Sequence, residues 1–438
     1  MSTAAENELL TRVGPGTPMG SFMRQFWVPA CMSSELAADG PPLRLLLLGE
    51  KLIAFRDSSG RVGIMDHRCP HRCASLFFGR NEEGGLRCVY HGWKFDTEGN
   101  CLDMPNVQPD RSFARKLKAR AYRTAERGGL VYVYMGAAKE APPLPELEPT
   151  LCPPDETMLV CRQRECNWLQ AMEGDLDTSH FGFLHGGSIA ADDIDPDNMD
   201  RFQVSDRAPE YHVRETEWGT MYAAYRPAEP GALYYRFAHF VLPFWTLYPN
   251  GSISNNVTGQ AWVPMDDTHT MVFNVGWTHR APPLARNRAG EPIPGLERNA
   301  RFLPNTTDWL GRWRSAVNKT NDYEIDRDVQ RHLSFTGISG VPHQDAAVTE
   351  SMGDIVDRTL EHLAPSDRMI SLTRRRLSTL VRAFQKDGSL PAMVGAPGVS
   401  RQARGGDVMA PADQPWLSVY EDAMRTARSP VAIPSAAE

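Results

Sequence analysis

The sequence predicts an α+β protein of two domains: an N-terminal all-β domain, then a larger domain in which helices cover an antiparallel sheet. Three observations predict this. At 438 residues the chain is too long for one ordinary core. Residues 43–135 consist of short apolar runs separated by turn residues, the pattern of a small β domain. Residues 211–280 alternate apolar with polar positions, and helical spacing appears before and after them.

Residues 1–40 read as a helical lead-in: Asn7-Glu-Leu-Leu10, then the Gly14-Pro-Gly16 break and Pro18, then Met19 to Trp27. The β domain spans 41–140. Leu43-Arg-Leu-Leu-Leu-Leu48, Leu52-Ile-Ala-Phe55 and Val62-Gly-Ile-Met65 are its first strands, with Gly49-Glu-Lys51, Asp57-Ser-Ser-Gly60 and Glu98-Gly-Asn100 as turns. Leu130-Val-Tyr-Val-Tyr-Met135 closes it as a strong β run. The Pro-rich segment 141–154 is the expected linker. The second domain spans 155–390. Trp168 to Phe183 has helical character. Met221 to Tyr225, Tyr234 to Phe240 and Met271 to Val275 are strands, and Asp322 to Gln330, Ala346 to Leu363 and Ser366 to Gln385 are helices. Residues 391–438, rich in Gly, Pro, Ala and Ser, read as an extended tail with a short helix near Trp416 to Arg425.

Charged residues are 23% of the chain and the formal net charge is −7, with no basic stripe interleaved with aromatics, so a nucleic-acid partner is not expected. The polar, acidic start lacks the basic and apolar regions of a secretory signal, and the longest apolar run, near Leu45 to Leu48, is far too short to span a membrane. Eight thinly spread cysteines without a signal peptide suggest reduced thiols or metal ligands in the cytoplasm.

One segment carries specific chemistry. Cys69-Pro-His71 is followed after sixteen residues by Cys88-Val-Tyr-His91-Gly-Trp93. Each of two loops thus delivers one thiol and one imidazole. A Rieske [2Fe–2S] centre needs this supply, two thiolates for one iron and two imidazoles for the other. Structural zinc is the alternative, but zinc sites usually pair Cys with Cys and His with His at short spacing. Gly92 and Gly84-Gly85 suit tight loops, and Cys73 is a neighbouring thiol rather than a fifth ligand.

Downstream lies Glu173-Gly-Asp175-Leu-Asp177-Thr-Ser-His180-Phe-Gly-Phe-Leu-His185. Asp177 and His180 share a helical face, whereas His180 and His185 would diverge on a straight helix, so the helix should end near Gly182. Two histidines and one carboxylate with open positions make the facial triad of O₂-activating iron. The carboxylate must come from elsewhere, and spacing leaves Asp345 and Asp354 both open.

Taken together and in this order, these motifs resemble the Rieske non-haem iron aromatic-ring-hydroxylating oxygenases, over nearly the whole chain. Gly14-Pro-Gly-Thr-Pro-Met-Gly20, Ala74-Ser-Leu-Phe-Phe-Gly-Arg-Asn81 and Glu350-Ser-Met-Gly353 are similar to the phthalate dioxygenase branch. The resemblance implies a helix-grip-like catalytic domain. It implies cluster ligands Cys69, His71, Cys88 and His91, and mononuclear iron ligands His180, His185 and Asp345, the last preferred over Asp354. Asp177 becomes the electron-transfer bridge between the cluster of one subunit and the iron of its neighbour. A homotrimer or stacked hexamer follows, as does a separate flavin/iron-sulfur reductase drawing on NAD(P)H. No nucleotide-binding Gly-x-Gly-x-x-Gly follows a strand, which agrees with an external electron source. The implied reaction is cis-dihydroxylation of an aromatic carboxylate, phthalate-like or a substituted benzoate, with O₂. The alternative is a monooxygenase or O-demethylase acting on a methoxylated aromatic acid. A carboxylate calls for a cation in the pocket wall, and Arg207 and Arg236 are the candidates. Phe240, Phe244 and Trp245 are expected in the core, and Arg374-Arg-Arg376 on a solvated helix face.

Overall fold

The computed structural model describes residues 3–280, 282–297 and 300–431. The lead-in is helical over Ala4–Thr11 and Pro18–Met23. Thr3 and Glu6 cap the first helix reciprocally, and Thr17 with Pro18 starts the second. The segment then turns into a strand, Trp27–Met32, which pairs with Leu130–Tyr134. The lead-in is therefore stitched into the β domain: Trp27, Val28 and Ala30 are apolar and buried, and they need a sheet neighbour.

That strand begins a six-stranded antiparallel sheet that continues through Leu130–Tyr134, Ala121–Arg127, Val62–Asp66 and Glu50–Arg56 to Leu43–Leu47. A second, four-stranded sheet of short strands, from Arg80–Glu82 to Cys101–Asp103, carries the two Cys/His loops at one end.

The larger domain is built on an eight-stranded antiparallel sheet. Its order runs Thr157–Arg164, Thr270–Trp277, Thr258–Pro264, Trp245–Leu247, Ala232–Val241, Gly219–Pro227 and Glu210–Glu215, with Gly406–Pro411 also paired to Ala232–Val241. The expected tail thus supplies a strand, followed by the anticipated helix, Trp416–Thr426. Trp168–Leu176, Val341–Ser351 and Arg368–Asp387 are the principal helices over the sheet. Two expected helices are shorter or shifted. The one anticipated at 346–363 begins earlier, with Pro342 in its first turn, and stops before Gly353, whose φ is +94°. The one anticipated at 322–330 is interrupted by left-handed Asp322 and Tyr323 and restarts at Arg327, capped by Asp326.

The two sheets do not stand apart. Leu48 and Gly49 donate backbone hydrogen bonds to the carbonyls of Pro264 (3.0 Å) and Met265 (2.8 Å). Leu10, Phe22, Tyr134, Trp168, Phe240, Trp262 and Leu377 belong to one continuous buried cluster. The Pro-rich segment is held as well, by Arg127 on the carbonyls of Leu144 and Pro145 and by a buried Arg404–Glu148 ion pair. Phe240, Phe244 and Trp245 are core, as expected. The Arg374-Arg-Arg376 run departs from expectation: Arg374 is buried against Glu173 and Glu361, and Arg376 pairs with Glu215. No helix among the described residues is long and apolar enough to cross a membrane.

Glu173 is the anchor of the helix that leads to His180. It receives Arg374 at 2.6 Å and Arg358 at 3.1 Å, and these charges hold its carboxyl low against the opposing effect of burial. Glu173→Ala leaves two buried guanidiniums short of a counter-charge and should cost about 3–5 kcal/mol of stability. The check is a urea unfolding midpoint; a midpoint equal to wild type would reject this weight for the cluster.

Candidate metal centres

The two loops at the end of the small sheet share one backbone design. Cys73 N–H donates to Cys69 O and Gly92 N–H to Cys88 O, both at 2.9 Å, so each loop closes four residues after its cysteine. Both closing residues have positive φ, +59° at Cys73 and +79° at Gly92. At Gly92 a Cβ would also meet Pro105 Cγ at 2.5 Å. Cys69 and Cys88 are buried, and burial with the neighbouring Cys88 pushes the Cys69 thiol up to about 11, while backbone N–H groups of His71 and Arg72 pull the other way. N–H groups aimed at a cysteine sulfur suit a metal-bound thiolate. The imidazoles of His71 and His91 lie 4.5 Å apart, and Trp93 stacks on His71 at 4.2 Å. Burial lowers the pKa of His71, with His91 and Arg72 adding to it, which favours the neutral, ligating form. His91 Nδ1 is buried without a partner. The donor set and this orphaned nitrogen fit a Rieske cluster.

The second site lies where the helix Trp168–Leu176 ends. Asp177 breaks out of helical geometry, and a single 3-10 turn, Ser179–Gly182, redirects the chain so that His180 and His185 converge. Their Nε2 atoms are 3.2 Å apart. Asp345 Oδ1, from the helix Val341–Ser351, is 3.1 Å from His185 Nε2 and 3.9 Å from His180 Nε2. Asp354 is exposed and stands outside this group.

The hydrogen bonds determine which way the imidazoles face. Gln344 Nε2 donates to the carbonyls of Gly295 and Ile338, so Gln344 Oε1 is left to accept from His185 Nδ1 at 2.7 Å. Asp177 Oδ2 lies 3.5 Å from His180 Nδ1, and its Oδ1 accepts from Ser179 N (2.7 Å) and Oγ (2.6 Å). With both Nδ1 atoms committed to acceptors, both Nε2 lone pairs point at one place together with a carboxylate. A metal cation would satisfy that arrangement. The electrostatics agree. Burial alone would lower the His180 pKa, but Asp177, Asp345 and Asp175 raise it to about 9. Burial would raise Asp345, yet His185, His180 and Arg164 hold it far below the ordinary range. Sequence reasoning missed Gln344, whose neighbour Asp345 it had singled out.

The triad opens on a cavity of about 440 Å³. Met158, Val160, Tyr222, Leu284, Leu296 and Phe302 give it apolar walls. Asp175 lines it too, with Oδ2 accepting from Thr246, Gln260 and Trp262; burial pushes its carboxyl up to about 6 against those donors. The two arginines expected in the wall are otherwise engaged. Arg236 borders the cavity, but its guanidinium bonds Pro249 O at 2.6 Å and pairs with Asp200 (3.4 Å) and Asp407 (3.7 Å). Arg207 does not line the cavity: it donates to Gly187 O and lies over the Phe183 ring. The cavity's other arginines, Arg162 and Arg280, were not anticipated.

Comparison with known proteins agrees with both halves. Residues 26–121 match the Rieske [2Fe-2S] domain and residues 133–416 match the LigXa C-terminal domain like family. The chain is 49% identical to the 3-chlorobenzoate-3,4-dioxygenase oxygenase subunit of Comamonas testosteroni, covering 96% of this chain and 98% of that one. It is 37% identical to the phthalate 4,5-dioxygenase oxygenase subunit of Pseudomonas putida, covering 88% and 87%. The fold is shared with dicamba monooxygenase bound to 3,6-dichlorosalicylic acid: TM-score 0.54, 17% identity, 83% of this chain and 99% of that one. The chain belongs to the Rieske non-haem iron oxygenases, as an oxygenase subunit of the aromatic-ring-hydroxylating kind, with a Rieske [2Fe–2S] cluster and a mononuclear iron as its cofactors.

Because Gln344 orients His185 without joining the triad, Gln344→Leu should lower mononuclear iron affinity about 10- to 100-fold. Chelator competition measures this, and the visible spectrum of the cluster serves as the internal control. Unchanged iron retention would show that His185 needs no such support.

Proposed function

We propose that this subunit uses O₂ and electrons from a separate reductase to cis-dihydroxylate an aromatic carboxylate, phthalate-like or a substituted benzoate. The observation that carries this reading is the opening of the His180–His185–Asp345 site into a cavity of about 440 Å³ whose apolar walls are interrupted by arginines. That volume suits one substituted ring. In this reading Cys69, His71, Cys88 and His91 hold the cluster, and His180, His185 and Asp345 hold the iron. Iron in such a site supplies activation of O₂. The protein's own groups position the ring and keep out water. Met158, Val160 and Phe302 wall the ring, and Asp175, whose carboxyl burial pushes up to about 6, is a polar contact lining the cavity.

Asp177 is the electron bridge in this proposal. It supports His180 at Nδ1, the ring nitrogen opposite the one that faces His185, and its side chain remains partly open to solvent. The second cluster loop exposes Val89 and Tyr90, apolar surface beside His91 that suits packing against a neighbouring copy. A homotrimer or stacked hexamer, in which His91 of one copy meets Asp177 of the next, follows. A flavin/iron-sulfur reductase using NAD(P)H would supply the electrons, and the cytoplasm is the compartment that suits eight cysteines, two of them cluster ligands and none in a disulfide.

Single-turnover oxidation of benzoates, halobenzoates, phthalate isomers and methoxybenzoates under ¹⁸O₂ tests the reaction. Two labelled oxygens in a ring diol are the expected product. One labelled oxygen with formaldehyde released would move the enzyme to O-demethylation of a methoxylated acid, the alternative that keeps every metal ligand. For the bridge, Asp177→Asn should leave both iron centres loaded yet slow substrate-dependent reoxidation of the reduced cluster by at least about 100-fold. Stopped-flow absorbance reads this directly, and discharge at the wild-type rate would reject the bridge.

A further inference from the structure

The strand Thr157–Arg164 forms one wall of the catalytic cavity. Its alternate residues Met158, Val160 and Arg162 all line it, as period-two geometry requires. The first two are apolar; Arg162 ends the row with a charge. Behind that wall is a second, small cavity of about 30 Å³, close to the space of a single small polar group. The two cavities share Arg162, Ala300, Phe302 and Pro342.

Among the described residues, the arginines of this wall have no direct carboxylate partner, although Glu165 and Glu350 also border the small cavity and Asp175 and Asp345 the large one. Arg162, Arg164 and Arg314 all border the small cavity, and the Nε atom of each is buried without a hydrogen-bond partner. Arg164 spends one terminal nitrogen on Pro342 O, and Arg314 one on Pro304 O. Among the described residues, no carboxylate lies within ion-pair distance of any of the three. The acids nearby are engaged elsewhere: Glu165 pairs with Lys319, and Glu350 accepts from Glu165 N and Tyr323 Oη. The Arg162 side chain makes no hydrogen bond or ion pair among the described residues. Burial, then Arg164, pulls its pKa down to about 10, so the group stays charged at neutral pH but is held there at a cost. Of the cavity's other arginines, Arg236 already has its counter-charges, and Arg280, whose Nη1 is likewise buried without a partner, does not border the small cavity.

We propose that Arg162, backed by Arg164 and Arg314, is the carboxylate-recognition subsite of the catalytic cavity, pairing with the acid group of the aromatic substrate. The proposal rests on the functional reading above and adds the residue that makes the cavity select an acid over a neutral ring. A guanidinium offers two parallel N–H donors to a carboxylate, and the shared wall keeps water from competing. Arg164 and Arg314 make the position more positive without reaching the ring side themselves.

The test is calorimetric binding of benzoate and of its neutral analogue benzamide to the iron-loaded enzyme, comparing wild type, Arg162→Met and Arg162→Lys. Iron and sulfide contents confirm that each variant is folded and loaded. Arg162→Met should weaken benzoate about 10- to 100-fold while benzamide changes by less than about threefold, and Arg162→Lys should fall between. In turnover the loss should sit mainly in KM. Chloride should compete with benzoate in wild type and lose that effect in Arg162→Met. Equal losses for benzoate and benzamide would make Arg162 a packing residue and overturn the assignment. So would a carboxylate-specific loss appearing in Arg280→Met instead, or chloride that binds through Arg162 without displacing benzoate, which would make this a site for a free anion. A wild-type enzyme that binds no aromatic acid would remove the functional reading itself, an outcome distinct from each of these.

Discussion

One imidazole is gripped by two consecutive residues of one helix. Gln344 takes His185 at Nδ1 and Asp345 approaches it at Nε2, from successive positions in Val341–Ser351. The candidate metal site depends on that grip. It sets the tautomer of His185 and ties the turn after Trp168–Leu176 to a helix some 160 residues later in the chain. It also brings in the carboxylate from the same direction as the support. Gln344 can do this because its amide is itself spent on Gly295 and Ile338, so it cannot turn over and offer a donor in place of an acceptor. A chain of satisfied hydrogen bonds, rather than any single strong one, makes two lone pairs and a carboxylate face one point.

The same chain explains what the sequence could and could not show. Cys69-Pro-His71 and Cys88-Val-Tyr-His91 were legible because ligand type and short spacing sit together on one loop. His180 and His185 were legible for the same reason, helped by the glycine that ends the helix. Asp345 could be preferred to Asp354 only by resemblance, since a carboxylate delivered from a distant helix leaves no local pattern. Gln344 left none at all: a glutamine in a helix is ordinary until its acceptor is known to be aimed. The pocket arginines show the opposite failure. Arg207 and Arg236 lay in promising segments, yet counter-charges and carbonyls that come from elsewhere had already engaged them. Arg162 sits in a strand that alternation from Met158 to Arg162 could have revealed, but that strand lies well before residues 211–280, the region read as the sheet.

The main fold elements followed the same rule. Runs buried on one face announced themselves, and the strands at 43–47, 50–56, 62–66 and 130–134 lie where the apolar runs are. Segments that depend on distant neighbours did not. Trp27–Met32 and Gly406–Pro411 are strands because a partner waits for them, the first beside Leu130–Tyr134 and the second beside Ala232–Val241. Neither has a turn signal close enough to call up a hairpin.

The seam between the two sheets has a mechanical meaning. Leu48 and Gly49 bond to Pro264 and Met265 across it, and one buried cluster runs through both domains. Swinging one domain against the other would open that apolar interior to water along with the backbone bonds. The span between the cluster loops and the iron site of one chain is therefore a constant of the fold. Among the described residues, neither a loose tether nor a hinge separates the two sheets. Whatever modulates the arrival of electrons has to act from outside the chain, at the surfaces where other molecules dock.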